Sequence, residues 1–364
     1  MKFTITRAKL LEGLQTVQNV VAARSSLQIL SNALIKAEDG KLWITTTDLD
    51  MTVRCCIEAE VDQAGGTTMP VRRLVGIVRE LPEGRITFDI NEEDVAAVQC
   101  GSSFFKINGL PMRDFPPVPG AEGKFCYRID QGALREMMRK TSYAASLDET
   151  RRVLNGVLMA FKDGKLTMVA TDGRRLALVE HEVEFPAEAE LEMILPSKAV
   201  NELMHILGND GDLKIFAQKN QIVFEFNNTM MSSKLIDGVY PNYRQVVPAA
   251  CEERVTVERE PLLTALRRVS LITTDKSNAT RLTFSANQLT ILITTPEVGE
   301  ARETLPVKYA GKEITVIFNP EYVMDPLRNL DSDEVFVEMN DGHSPVIIKS
   351  NIPFLYVLMP LRIT

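Results

Sequence analysis

The chain has 364 residues, too many for one ordinary domain, and its 45% hydrophobic and 25% charged residues are spread evenly, which excludes a disordered or fibrous chain. No run approaches the roughly 18 apolar residues that a membrane span needs, and Met1-Lys2-Phe3-Thr4-Ile5 opens on strand alternation instead of a signal sequence, so a cytoplasmic protein is expected. The net charge of -8 argues at first against a nucleic-acid partner, and Cys55, Cys56, Cys100, Cys126 and Cys251, lacking Cys-x-x-Cys spacing, are expected to be buried structural thiols in a reducing compartment.

In chain order, the opening strand is followed by a helical stripe at Leu10, Leu14, Val17 and Val21. Alternating strands run from Leu42 to Val53 after an Asp39-Gly40 turn. Met69-Pro70-Val71-Arg72 then starts a short helix, since proline at the first helical position loses no needed hydrogen bond. Strands Arg85 to Ile90 and Val95 to Ile107 lead to Asp114-Phe115-Pro116-Pro117-Val118-Pro119. The same succession then returns. A helical stripe at Leu134, Met137 and Met138 precedes the Asp163-Gly164 turn, strands Leu166 to Leu178, Leu195-Pro196-Ser197-Lys198 and Val239-Tyr240-Pro241-Asn242-Tyr243. A third round has Leu262, Leu266 and Val269, then Asn287-Gln288-Leu289, then Asn319-Pro320-Glu321-Tyr322, and ends at Met359-Pro360-Leu361-Arg362-Ile363-Thr364.

The aligned leucines Leu42, Leu166 and Leu289 lie 124 and 123 residues apart, a period too long for a solenoid unit and right for a small domain. Three domains are therefore expected at 1–122, 123–250 and 251–364, each of α+β class with two helices on antiparallel sheets. Such quasi-symmetric units invite end-to-end joining, and a repeated contact closes into a ring when its rotations sum to a full turn.

The segments Thr171-Asp172-Gly173-Arg174-Arg175-Leu176, Asp237-Gly238-Val239-Tyr240-Pro241-Asn242-Tyr243-Arg244 and Tyr356-Val357-Leu358-Met359-Pro360-Leu361-Arg362, on top of the triple repeat, resemble the bacterial DNA sliding clamps, the beta subunits of DNA polymerase III. The resemblance spans essentially the whole chain. It implies a head-to-tail homodimer whose six domains close a ring around double-stranded DNA, with no catalysis and no cofactor. It also implies four kinds of partner: the encircled DNA, the polymerase III alpha subunit, a clamp loader, and other proteins carrying a clamp-binding motif. Their peptides would enter a groove lined by Leu154, Thr171, Gly173, Arg174, Arg175, Leu176, Pro241, Val246, Asn319, Tyr322, Val357, Leu358, Met359, Pro360, Leu361 and Arg362. Apolar cups there would hold leucine and aromatic anchors, with Met359 adapting to their shapes. Gln245 and Ser277 depart from the family, which often has Arg and Phe at those places. Phe105 and Ile107 in the first domain, with Leu271 and Ile272 in the third, match the family's subunit contact; interior packing of their own domains is the other reading of these four.

Charge distribution supports the DNA assignment. The expected helices, 6–23, 70–81, 130–145, 196–207, 260–272 and 320–330, hold twelve Lys or Arg against eight Asp or Glu, in a chain whose net charge is -8. A basic helical face inside an acidic remainder draws the duplex without reading its bases. The expected DNA-facing residues are Arg24, Arg72, Arg73, Arg139 and Arg152, of which Arg24 and Arg73 rest most on the resemblance; a merely solvated face is the alternative for each. Two rival functions lack support. Asp48-Leu49-Asp50 imitates a metal-binding carboxylate pair but aligns with Thr171-Asp172-Gly173 as a turn, and His181, His205 and His343 are scattered without ligand spacing. A base-reading regulator would need a recognition helix rich in Asn, Gln and Arg, and none is present.

Overall fold

The computed structural model describes residues 1–21, 27–118, 120, 125–274 and 279–361. Six α-helices, two per repeat, are found among them: α1 (Arg7–Val17), α2 (Val71–Glu80), α3 (Gln131–Thr141), α4 (Ser197–Ile206), α5 (Arg259–Val269) and α6 (Pro320–Asn329). The apolar stripes that suggested them are their buried faces: Leu10, Leu14 and Val17 in α1 and Leu262, Leu266 and Val269 in α5 are almost fully buried. Side chains three and four apart share one face of a helix, which is why these positions and not their neighbours reach the core. The turns joining the paired strands take left-handed backbone at Asp39 and Gly40, Asp163 and Gly164, and Asn287, with φ between 50° and 72°. Those dihedrals match the twist of a two-residue hairpin, and Asp, Asn and Gly adopt them most cheaply.

Every strand pairing described is antiparallel, in four sheets. The chain's contacts divide it into two units: Met1–Ala133 with Asn201–Leu235, and Leu134–Val200 with Ile236–Thr364. Unit 1 contains a five-stranded sheet that ends at Ser103–Asn108, and an eight-stranded sheet in which Thr229–Lys234 of the second repeat pairs with Met51–Glu58 of the first. Unit 2 contains an eight-stranded sheet in which Arg175–Glu182 of the second repeat pairs with Phe354–Leu358 of the third, and a four-stranded sheet. The second repeat thus lends strands to both eight-stranded sheets. In unit 1, α1 and α2 pack together, and in unit 2 α5 packs on α6.

The cysteines correct one expectation. Cys55, Cys56 and Cys100 are buried, but Cys126 is exposed and Cys251 only partly covered. Burial pushes the Cys55 thiol up to about 12, which leaves it unreactive.

Candidate functional site

The groove residues suggested by the resemblance all fall in unit 2, on its eight-stranded sheet, on α6 and on the segments beside them, apart from Arg362, which lies outside the described residues. Their centre is a tight turn between strands Lys165–Thr171 and Arg175–Glu182. The Asp172 carboxylate accepts the backbone N–H groups of Arg174 at 2.8 Å and Arg175 at 3.0 Å, while the Thr171 hydroxyl accepts from Gly173 N–H at 3.0 Å and donates to the Arg175 carbonyl at 2.6 Å. Gly173 sits at φ +86°, where a side chain is strained. The terminal strand docks onto this turn in register, Leu176 opposite Val357 and Arg175 opposite Leu358, and Met359 N–H continues it by donating to the Arg174 carbonyl at 3.0 Å. Leu361 N–H then donates to Ile317 O at 2.7 Å, so the segment is tied down as far as Leu361.

Beneath the turn, Leu154, Leu176, Tyr240 and Val357 join Leu158, Val169 and Ile194 in one buried cluster, against which Val153, Tyr243 and Val247 pack. The anchors at its margin are exposed: Met359 at 41% and Val246 at 45%, with Pro241 and Arg174 also open to solvent. Two residues that the sequence reading passed over belong to the same region. Leu147 is 94% exposed in a segment whose Ser146 N–H donates to the Leu154 carbonyl at 2.8 Å, and Val239, next to Tyr240, is 91% exposed. Large aliphatic side chains inside polar Ser-Leu-Asp and Asp-Gly-Val turns were the available signal, since nothing in a turn requires them.

Arg175 is the hub of a largely buried network: it ion-pairs with Asp172 at 3.1 Å and with Asp325 of α6, and donates to the Tyr143 carbonyl at 2.7 Å. Its guanidinium also lies 4.3 Å from the Tyr322 ring centroid and 5.9 Å from that of Tyr143. Burial works against its charge, and the carboxylates of Asp325 and Asp172 more than offset that, holding the group more firmly protonated than usual. Burial likewise pushes the phenols of Tyr143 and Tyr356 well above the ordinary range, so both are neutral. Tyr356 Oη donates to the Tyr322 carbonyl at 2.7 Å. Asn319 caps α6 by accepting from Glu321 N–H at 3.0 Å.

The basic residues also separate. Arg24 lies outside the described residues. Arg72 and Arg73 are exposed on α2, in one stripe with Gly76 and Arg79, and Arg72 is steadied by donating to the Val21 carbonyl at 2.9 Å. Arg152 is exposed in a single helical turn, Arg152–Leu154. Arg139 departs from expectation: it is half-buried and ion-paired to Glu136 at 2.6 Å and to Asp331, so its charge is largely spent. Of the proposed contact residues, Phe105 is 37% exposed on the edge strand Ser103–Asn108 beside Phe104 at 58%, and Leu271 is 83% exposed after α5. Ile107, only 7% exposed, is packed inside its own sheet, so the interior reading holds for it; Ile272 is half-buried.

Asp48 and Asp50 form a turn like that at Asp172: Asp48 Oδ1 accepts from Asp50 and Met51 N–H, and Asp50 pairs with Lys234 at 2.9 Å. Among the described residues no cluster of three or more His, Cys, Asp or Glu is arranged to hold a metal ion. No helix described is long and apolar enough to cross a membrane.

Comparison with known proteins gives three tandem matches: the N-terminal domain of the DNA polymerase III beta subunit over residues 1–119, its central domain over 128–242 and its C-terminal domain over 244–362. The beta sliding clamp of Chlamydia muridarum is 32% identical over 363 residues, covering 100% of this chain and 99% of its own. Among solved structures, the DNA polymerase III subunit beta of Pseudomonas aeruginosa superposes with a TM-score of 0.95 at 32% identity, covering all of both chains. The sliding clamp of Bartonella birtlesii, solved bound to griselimycin, matches with a TM-score of 0.95 at 34% identity, also over all of both chains.

Proposed function

This chain belongs to the DNA polymerase III beta subunit family, the beta sliding clamps, and on that premise we propose how its own residues carry out a clamp's work. It is a DNA sliding clamp, a processivity factor of replication. Our reading is of three clamp domains, 1–122, 123–250 and 251–364, in a head-to-tail homodimer whose six domains encircle duplex DNA without catalysing anything, in the cytoplasm. Phe105 with Phe104 of one protomer meets Leu271 and Ile272 of the other, a heterologous contact that closes after two subunits. Arg72, Arg73 and Arg152, with Arg24, hold the duplex by phosphate contacts that carry no base preference, as sliding demands. The groove around Met359, Val246, Pro241 and Arg174 takes short apolar-anchored peptides from the polymerase alpha subunit, the clamp loader and other motif-bearing enzymes. Arg175 shapes that groove from behind.

The observation that carries this reading is the tandem match of all three beta-subunit domains, in order, from residue 1 to residue 362. Its test is topological. Protein loaded by a clamp loader onto nicked circular DNA should stay bound until a single restriction cut, and then slide off the linear ends. Retention on the linear product would overturn the encircling mechanism in favour of direct, local DNA binding.

A further inference from the structure

We propose that the eight-stranded sheet of unit 1 carries a separate binding site for a small organic anion, a carboxylate or phosphate joined to an aromatic ring, recognised by Arg54 and Trp43. Successive residues of a strand point to opposite faces. Ile44 and Cys55 lie under α1, close to Gly13, so Trp43, Arg54 and Cys56 point to the other face of the sheet. There a cavity of about 400 Å³ opens, lined among others by Lys41, Trp43, Arg54, Lys214, Glu225 and Met230. A second hollow of about 240 Å³ lies on the other side of the Trp43 and Arg54 pair. The larger volume is within the range of small-molecule sites, roughly 300–1,000 Å³.

The chemistry of the lining selects an anion. The Arg54 guanidinium lies over the Trp43 ring, 5.2 Å from its centroid, and its Nε is buried without a hydrogen-bond partner. A buried donor on a charged group left unpaired is costly and calls for a partner. None of Lys41, Arg54 and Lys214 has a carboxylate within ion-pairing distance among the described residues, although each faces the cavity. Of the two acids in the lining, Asp212 lies 3.6 Å from Arg128, which leaves Glu225 within the lining, while Glu58, opposite Lys41 on the next strand, acts on that lysine from outside it, so the cavity's own balance is cationic. Burial raises the Cys56 thiol, while Lys41 and Arg54 both pull it down, as a positive field at this spot would. A carboxylate or phosphate can accept two parallel bonds from the Nε and Nη edge of an arginine after a small shift of the side chain. Trp43, with Met230 opposite Arg54 on the same face, supplies the apolar surface for an attached ring. The site lies wholly in unit 1, whereas the residues of the peptide groove belong to unit 2, so the two share no residue.

Trp43 is the only tryptophan in the chain, so intrinsic fluorescence of the full-length protein reads this cavity directly. Titration with N-acetylphenylalanine and with phenyl phosphate separates a carboxylate source from a phosphate source. At least one of them should change Trp43 emission saturably below roughly 10 mM, and N-acetylphenylalanine amide, which lacks the charge, should not. Arg54→Gln should weaken binding by about tenfold or more, as loss of a charge-assisted pair does. Lys214→Gln, which leaves the stack on Trp43 in place, should weaken it less and keeps the question answerable should Arg54→Gln fail to fold by circular dichroism. No saturable change with either anion, equal binding of the amide, or unchanged affinity in both folded variants would overturn the site.

Discussion

Arg175 holds together groups that come from three separate stretches of the chain, Tyr143, Asp172 and the α6 pair Tyr322 and Asp325. Its side chain is only 11% exposed, and the two carboxylates 14% and 21%, so this is an ion triad largely removed from water. Such a triad need not stabilise more than a well-packed apolar trio would, but removing one member strands the others. Arg175→Met should therefore cost roughly 3–5 kcal/mol in urea or thermal unfolding, because it leaves Asp172 and Asp325 facing each other across a vacated position. Asp325→Asn, which leaves Asp172 on the guanidinium, should cost clearly less. The Thr-Asp-Gly-Arg-Arg segment marked this place in the sequence, yet it marked Arg174 and Arg175 alike. Only the fold distinguishes them, by bringing Asp325 from 150 residues away against one and leaving the other in solvent.

Among the elements, α6 shows how a local irregularity is absorbed by tertiary structure. Asn319 and Pro320 announce its start, and Val323, Met324 and Leu327 its buried face, all legible from spacing alone. Pro326, inside the helix, is not so easily read, since a proline there lacks the N–H that would reach back four residues to the Tyr322 carbonyl. The orphaned carbonyl is satisfied from outside, by Tyr356 Oη of the terminal strand at 2.7 Å. The proline thus leaves open a bond that fastens the last strand to the helix bearing Tyr322 and Asp325. Tyr356→Phe should cost about 1–3 kcal/mol, the range for stranding a buried acceptor. In a Pro326→Ala background, where the helix can supply its own N–H, the same change should cost less. A double-mutant cycle by chemical denaturation reads this coupling, and strictly additive costs would show that the two residues act independently.

At the scale of the molecule, the triple repeat is plain in the sequence, but the sharing of its strands is not. A strand pattern that recurs every 124 residues can pair equally well within its repeat or with its neighbour, and composition does not choose between them. In each unit the choice falls on the neighbour: Met359 N–H donates to Arg174 O in unit 2 just as Lys234 N–H donates to Asp50 O, at 2.8 Å, in unit 1. The two junctions share a backbone and differ in chemistry, with Leu49, Asp50, Met51 and Lys234 standing where unit 2 has Gly173, Arg174, Arg175 and Met359. The resemblance assigns the peptide groove to the second of these junctions only. Subunit contacts pose the same problem, because apolar residues look alike whether they pack inward or await a partner. Exposure separates two of these residues. Leu271 at 83% exposed has nothing to lose in the isolated fold, whereas Ile107 at 7% is part of its sheet's interior. Leu271→Glu should therefore melt at nearly the temperature of the unaltered chain yet sediment at half its mass and fail to remain on nicked circular DNA. Ile107→Glu should instead lower stability itself, by several kcal/mol for a buried unpaired charge, and lose the dimer only as a consequence. Should Leu271→Glu remain a dimer, the third domain's contact lies elsewhere on its surface; should both variants unfold alike, the interface and the core are not separable at these positions.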